Sequence, residues 1–229
     1  MSFRPRKSAC RNSWRTLLAI FQGYVEQLLD MPDMPRKEQA EAFEVLDRHA
    51  KRLTALVEDL LVLARMESQP DELSLEEIHL PDFAAGIARD FALRAKKKGV
   101  MLRVEVAADI APLHADPLRM EQVFTNLVDN ALKFTPEGGT VTLGAAASGS
   151  ETRLWVSDSG QGILSSHLPH IFERFYRVDK GRSRDVGGTG LGLSIVKHIA
   201  RAHGGDAEAE SAFGKGTTIR LRLPNSQAL

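Results

Sequence analysis

Asn126-Leu127-Val128-Asp129-Asn130-Ala131-Leu132-Lys133-Phe134 is the stretch on which the reading of this chain turns. Its apolar residues follow helical spacing, and Asn126, Asn130 and Lys133 fall at i, i+4 and i+7, so the three project from one face. Two amide oxygens and an ammonium on one stripe suit a magnesium ion and phosphate groups, because hard cations prefer oxygen ligands and lysine supplies a point charge. Standing alone, the same stripe would also serve as a solvated polar face.

Three further segments lie downstream. Asp158-Ser159-Gly160-Gln161-Gly162-Ile163 follows a strand-like run, and its glycines let backbone approach a planar ligand while the carboxylate accepts a hydrogen bond from an amine. Gly187-Gly188-Thr189-Gly190-Leu191-Gly192-Leu193 opens a helix predicted to run to Ala202, where free N–H groups at the positive end of the dipole favour a polyphosphate. Gly214-Lys215-Gly216-Thr217-Thr218 reads by itself as a hairpin turn.

Around these motifs the pattern predicts strands near Leu75–Leu80, Val100–Ala107, Thr140–Ala147, Thr152–Ser157, Asp206–Ala212 and Thr217–Leu223. Helices are predicted near Phe83–Lys97, Pro117–Phe134 and Leu191–Ala202. Strands and helices mixed without strict alternation imply an α+β domain, with helices on one face of a mostly antiparallel sheet. Upstream the period is purely helical. Trp14, Leu17, Leu18, Phe21, Val25, Leu28 and Leu29 make one amphipathic helix, Met31–Pro35 breaks it, and Phe43, Leu46, Leu53, Leu56, Leu60 and Leu63 line a second from about Lys37 to Met66. The two form an antiparallel hairpin whose apolar stripe is wider than one partner covers, so a dimeric four-helix bundle is the expected way to bury it. The chain thus divides into an irregular start at 1–10, a hairpin at 11–67 and a second domain at 74–225.

Composition narrows the class. The chain has 229 residues, 43% hydrophobic and 26% charged, as expected of a packed globular protein. Thirty Lys and Arg balance thirty Asp and Glu, so no global field recruits nucleic acid or anionic lipid. A single cysteine, Cys10, rules out an intrachain disulfide and fits a reducing, cytoplasmic setting. No apolar run approaches the roughly 18 to 20 residues of a membrane helix.

The order and spacing of the motifs carry more than any one of them. Asn-x-x-x-Asn-Ala-x-Lys-Phe, then Asp-x-Gly-x-Gly, then Phe172-Glu173-Arg174-Phe175-Tyr176-Arg177, then Gly-Thr-Gly-Leu-Gly-Leu together resemble the catalytic ATP-binding domain of sensor histidine kinases, which belong to the GHKL ATPases. Asp116–Val123 also matches that family's run into the asparagine helix, and the hairpin resembles its dimerisation and phosphotransfer domain. The resemblance implies a two-layer α/β sandwich of GHKL type, ATP and Mg2+ as ligands, a homodimer, and the receiver domain of a response regulator as partner. It implies that Asn130 holds magnesium and that Asn126 and Lys133 lie near the phosphates. Phe134 would lie against adenine, and Asp158 would accept from its exocyclic amine. Gly160, Gly162, Gly188, Gly190, Leu191 and Gly192 would give backbone access, and Thr217 would floor the pocket. Arg177 would reach the terminal phosphate across a lid at roughly Arg174–Gly187.

One segment departs from the family. Arg15–Tyr24 is similar to the tail of the phosphoacceptor box, and counting back puts the acceptor histidine at Asn12, its acidic neighbour at Ser13, the next apolar position at Trp14 and the usual proline at Leu17. An amide nitrogen is delocalised into its carbonyl and is no nucleophile, whereas neutral imidazole offers a free lone pair. Self-phosphorylation at residue 12 is therefore chemically closed. Two accounts stay open: a pseudokinase that regulates a partner kinase or response regulator, and a shifted reading frame or a junction ahead of Arg15. The clustering of the departures favours the second. His49, on the second helix, is read as a packed imidazole rather than a substitute acceptor.

Overall fold

The computed structural model describes residues 10–68, 73–178 and 189–225. The chain falls into two compact units. The first contains α1 (Cys10–Asp30) and α2 (Arg36–Ser68), packed as a hairpin across the Met31–Pro35 break. Helix α1 begins four residues before the expected Trp14, so Asn12 stands on its first turns. Among the described side chains of this unit, Ala42 and Leu46 are buried, while Leu29, Met31, Phe43 and Val57 are exposed.

The second unit is the expected two-layer α+β domain. Five strands form one sheet in the order β2-β4-β5-β7-β6: β2 (Met101–Val106), β4 (Thr140–Ser148), β5 (Glu151–Asp158), β6 (Asp206–Ala212) and β7 (Gly216–Pro224). Only the β2–β4 pairing is parallel. Helices α3 (Leu80–Lys98), α4 (Pro117–Phe134) and α5 (Gly192–Ala202) supply the other layer. Val141, Leu143, Leu154, Val156, Ile219, Leu221 and Leu223 alternate onto the inner face of the sheet. They meet Met120, Val123, Leu127 and Val128 of α4 and Ile195, Val196 and Ile199 of α5, all buried. The outer face carries Thr142, Arg153, Trp155, Thr218 and Arg220. There the Trp155 indole occupies the space a side chain at Gly144 of the neighbouring strand would fill.

Two expectations are corrected. Leu80 belongs to a helix and not a strand, because Pro81 occupies its first turn, where a missing N–H costs nothing. A second sheet of two three-residue strands, β1 (Glu76–Ile78) and β3 (Leu113–Ala115), pairs antiparallel beside the main one, and β3 was not foreseen. Segments this short give no readable period.

Helix α4 is fixed at both ends. At its N-cap, Asp116 accepts from the Arg119 N–H at 3.1 Å and from the Ser74 N–H at 3.2 Å. The Asp116 N–H in turn donates to Nε2 of fully buried His203 at 3.1 Å, while His203 Nδ1–H donates to the Ile199 carbonyl at 2.8 Å. That bridge ties the start of α4 to the end of α5. At the other end, the Lys98 ammonium donates to the carbonyls of Leu132 and Lys133, occupying acceptors the helix leaves open. Burial and the nearby Arg94 charge push the Lys98 pKa down.

Candidate functional site

Asn126, Asn130 and Lys133 lie along one half-buried stripe of α4, as their spacing requires. Each end of the stripe meets another motif. At Asn126, the first helical residue of α5 is Gly192, whose absent Cβ would stand 2.9 Å from Asn126 Oδ1. The Asn126 amide group donates to the Gln122 carbonyl at 3.0 Å, which leaves its oxygen on the α5 side. At the Phe134 end, a Cβ on Gly160 would stand 2.6 Å from both the Phe134 carbonyl and Asp158 Oδ1. The asparagine helix, the Asp158–Gly162 loop and the start of α5 therefore converge.

Asp158 ends β5 directly opposite Thr217 on β7 and accepts from the Gly160 N–H at 2.8 Å. Burial raises its pKa above the ordinary aspartate value, and the backbone N–H groups of Gly160 and Thr217 pull it back only in part. The loop that follows is fastened to the β6–β7 hairpin. The Ile163 N–H donates to Ser211 Oγ at 2.8 Å and the Gly214 N–H donates to the Gln161 carbonyl at 2.7 Å. Gly162, at φ 69°, presses against the Ala212 carbonyl, and a side chain there would be strained and would collide with backbone. The sequence assigns Gly160, Gly162, Gly190 and Gly192 to ligand access. The structure gives each a reason internal to the protein, close packing against Phe134, Ala212, Phe175 and Asn126 respectively.

Phe134 exposes 42% of its surface, and the Lys133 ammonium sits 5.2 Å from its ring centroid. Leu191 is fully buried and caps α5, with the Ile195 N–H bonded to its carbonyl at 2.9 Å. Thr217 Oγ1 is 2.9 Å from Ser211 Oγ. Arg177 is half-buried, and desolvation lowers its pKa. Gly187, Gly188 and most of the expected lid lie outside the described residues, as do the side chains of Asn12 and Ser13. Sequence reasoning missed Lys98 and His203, which hold α4, because neither sits in a motif. Among the described residues no cluster of three or more His, Cys, Asp or Glu is placed to hold a metal ion, and no helix is long and apolar enough to cross a membrane.

A helical hairpin followed by a two-layer sandwich with these motifs at the edge of its helical layer is the architecture of a GHKL ATPase behind a phosphotransfer hairpin. Residues 115–227 match the family model described as histidine kinase-, DNA gyrase B- and HSP90-like ATPase, and residues 15–69 match the His Kinase A (phospho-acceptor) domain. The sensor histidine kinase WalK of Bacillus subtilis (strain 168) is 38% identical over 213 residues, 92% of this chain and 34% of WalK. The sensor protein SrrB of Staphylococcus aureus (strain MRSA252) is 34% identical over 93% of this chain and 36% of its own length. Among solved structures, full-length ShkA in complex with AMPPNP resembles the chain at a TM-score of 0.73 and 27% identity, over 93% of this chain and 46% of that one. The chain belongs to the sensor histidine kinases. It spans only 34% and 36% of those two curated relatives, and the phosphoacceptor-domain match begins at residue 15, beyond Asn12.

Proposed function

We propose that this chain is the ATP-binding kinase core of a two-component sensor. In this reading it binds ATP with Mg2+ against α4 and serves transfer of the γ-phosphoryl group to a histidine, then to an aspartate on a response regulator. The observation that carries the reading is the convergence just described: Gly192 meets the asparagine stripe at one end and the Asp158 loop meets it at the other. The AMPPNP complex of ShkA, 27% identical, supports the nucleotide class.

Each side chain then has a task. Ionised Asp158 accepts from the exocyclic amine of adenine, and Phe134 offers an exposed ring face beside it. Backbone N–H groups at the start of α5 face the phosphates, with Lys133 and Asn126 alongside. Asn130 presents an amide oxygen from the same half-buried stripe, a hard donor suited to magnesium. When bound, magnesium supplies charge neutralisation between phosphate oxygens. Arg177, partly desolvated, offsets the charge that develops on the terminal phosphate in a weakly screened setting. The exposed Leu29, Phe43 and Val57 of the hairpin are covered by a second copy, giving a homodimer.

The test is incubation with γ-labelled ATP and Mg2+, followed by assay of acid-labile protein phosphate. The chain as written stays unlabelled, because Asn12 offers no nucleophile. The variant carrying Asn12→His, Ser13→Glu and Leu17→Pro becomes labelled on residue 12. A triple variant that binds ATP yet stays unlabelled would favour the pseudokinase reading instead.

A further inference from the structure

The segment leading to Arg177 has a period of its own. His167, His170, Glu173 and Tyr176 recur every third residue, and the N–H of each donates to the carbonyl three positions earlier, at 2.9, 2.9, 2.8 and 3.2 Å. Only Leu168–His170 is wound as a helix of three residues per turn, and tight turns on either side join the four residues end to end. Straight continuation would carry Tyr176 away from His167. Phe175 instead adopts φ 63°, rare for an aromatic residue, and its N–H is held by the Gly190 carbonyl at 2.8 Å. The reversal brings the Tyr176 hydroxyl to 2.6 Å from His167 Nδ1 and lays the Tyr176 ring 5.5 Å from the His170 ring. His170 Nδ1–H donates to Glu173 at 2.7 Å, so the middle of the segment is itself tied. Beside it, the Phe172 ring lies 4.8 Å from the Lys197 ammonium of α5.

The next residue after Tyr176 is Arg177. We infer that His167 and Tyr176 form a positioning pair that fixes the direction of Arg177 toward a terminal phosphate, and that the pair thereby sets the preference of this site for ATP over ADP. The inference rests on the proposed role of Arg177 and names the residues that make it effective. The His167–Tyr176 bond spans the segment from its first turn to its last, so losing it frees the backbone next to Arg177. The helix stripe and the adenine end of the site stay as they are. ADP, which lacks the terminal phosphate, does not sense the pair.

Calorimetric titration of the full chain with Mg2+ and either AMPPNP or ADP separates the possibilities, and retained ADP binding reports that a variant is folded. His167→Leu lowers AMPPNP affinity by ~3- to 10-fold and leaves ADP affinity unchanged. Tyr176→Phe does the same, and the double variant is no worse than either single one. His167→Asn restores the wild-type ratio, since an amide offers both a donor and an acceptor near the position of Nδ1. Equal weakening of both nucleotides, no weakening of either, or additive losses in the double variant would overturn the inference. Arg177→Gln is the control. If it abolishes the AMPPNP preference while His167→Leu does not, the pair fails and the role of Arg177 stands. If Arg177→Gln leaves the preference intact, that role fails and the pair falls with it.

Discussion

The two units of this chain differ in how far each is completed by its own residues. In the second unit α4 and α5 press an apolar layer onto five strands, and α4 is tied at one end by Asp116 and His203 and at the other by Lys98. In the hairpin, Ala42 and Leu46 are the buried hydrophobics among the described side chains, and Leu29 exposes 74% of its surface, Met31 56%, Phe43 55% and Val57 54%. Covering a large apolar side chain is worth roughly 1.5 to 3 kcal/mol, a gain that the proposed homodimer would draw on. The sequence departures fall on the same unit: Asn12, Ser13, Trp14 and Leu17 all belong to α1, while the nucleotide motifs are whole. On the proposed function, the ligand end of the chain is self-contained, while the hairpin draws on a second copy and carries Asn12 where the resemblance places the acceptor.

The sharpest break of this contrast is repair of the hairpin. Asn12→His alone restores only a trace of labelling, because Ser13 still stands where a base belongs. Adding Ser13→Glu raises the rate by about 10²- to 10⁴-fold, the usual contribution of a general base, as read by acid-labile phosphate against time. Label mapped to His49 in the unmodified chain would show that α2 supplies a substitute acceptor.

Dimerisation comes next in size. Leu53→Asp places a carboxylate on the apolar stripe of α2, with a penalty of several kcal/mol in a bundle. Sedimentation should show a dimer for the wild type at micromolar concentration and a monomer for the variant. The second unit should retain its nucleotide affinity in both. A monomeric wild type would remove the hairpin's need for a partner from the comparison.

Within the self-contained unit, His203→Leu leaves the Asp116 N–H and the Ile199 carbonyl without their imidazole partners. It should cost ~1 to 3 kcal/mol by chemical unfolding, and it should weaken nucleotide binding in step by loosening the start of α4. The smallest expected effect is on pH. The folded Asp158 pKa is raised, so the buried ionised carboxylate costs folding stability at neutral pH, and that cost is relieved as pH falls through the raised value. Adenine recognition runs the other way. It needs the ionised acceptor, so nucleotide affinity begins to fall at a higher pH than an ordinary aspartate would give. Affinity measured on a descending pH series checks the direction.

Much of this was legible in the residues because local rules agreed with tertiary demand. Helix α4 occupies Pro117–Phe134 as read, since Asp116 caps it, Pro117 opens it and the apolar spacing runs unbroken to Phe134. The hairpin turn at Gly214–Gly216 follows from two glycines at positive φ. Helix α1 begins earlier than the apolar spacing predicts, because the Cys10–Ser13 stretch has no apolar periodicity and helix there continues from the amphipathic run behind it. The glycine motifs read as openings for a ligand, and at Gly160, Gly162, Gly190 and Gly192 the structure adds close neighbours within the protein that would collide with a Cβ. Sequence announces that a site excludes Cβ atoms and is silent on what takes their place. His167, His170, Glu173 and Tyr176 recur with a period of three, which matches neither the strand period of 2 nor the helix period of 3.6.

On the proposed function, the second unit binds ATP with magnesium whatever residue stands at position 12. Calorimetric titration of the unmodified chain with Mg2+ and ATP at neutral pH, beside the Asp158→Asn variant, tests it most directly. Saturable binding at one site per chain is expected, weakened by ~1 to 3 kcal/mol in the variant, whose amide spoils the acceptor toward the adenine amine. Absence of saturable binding by the unmodified chain, or an affinity that Asp158→Asn leaves unchanged, would contradict it.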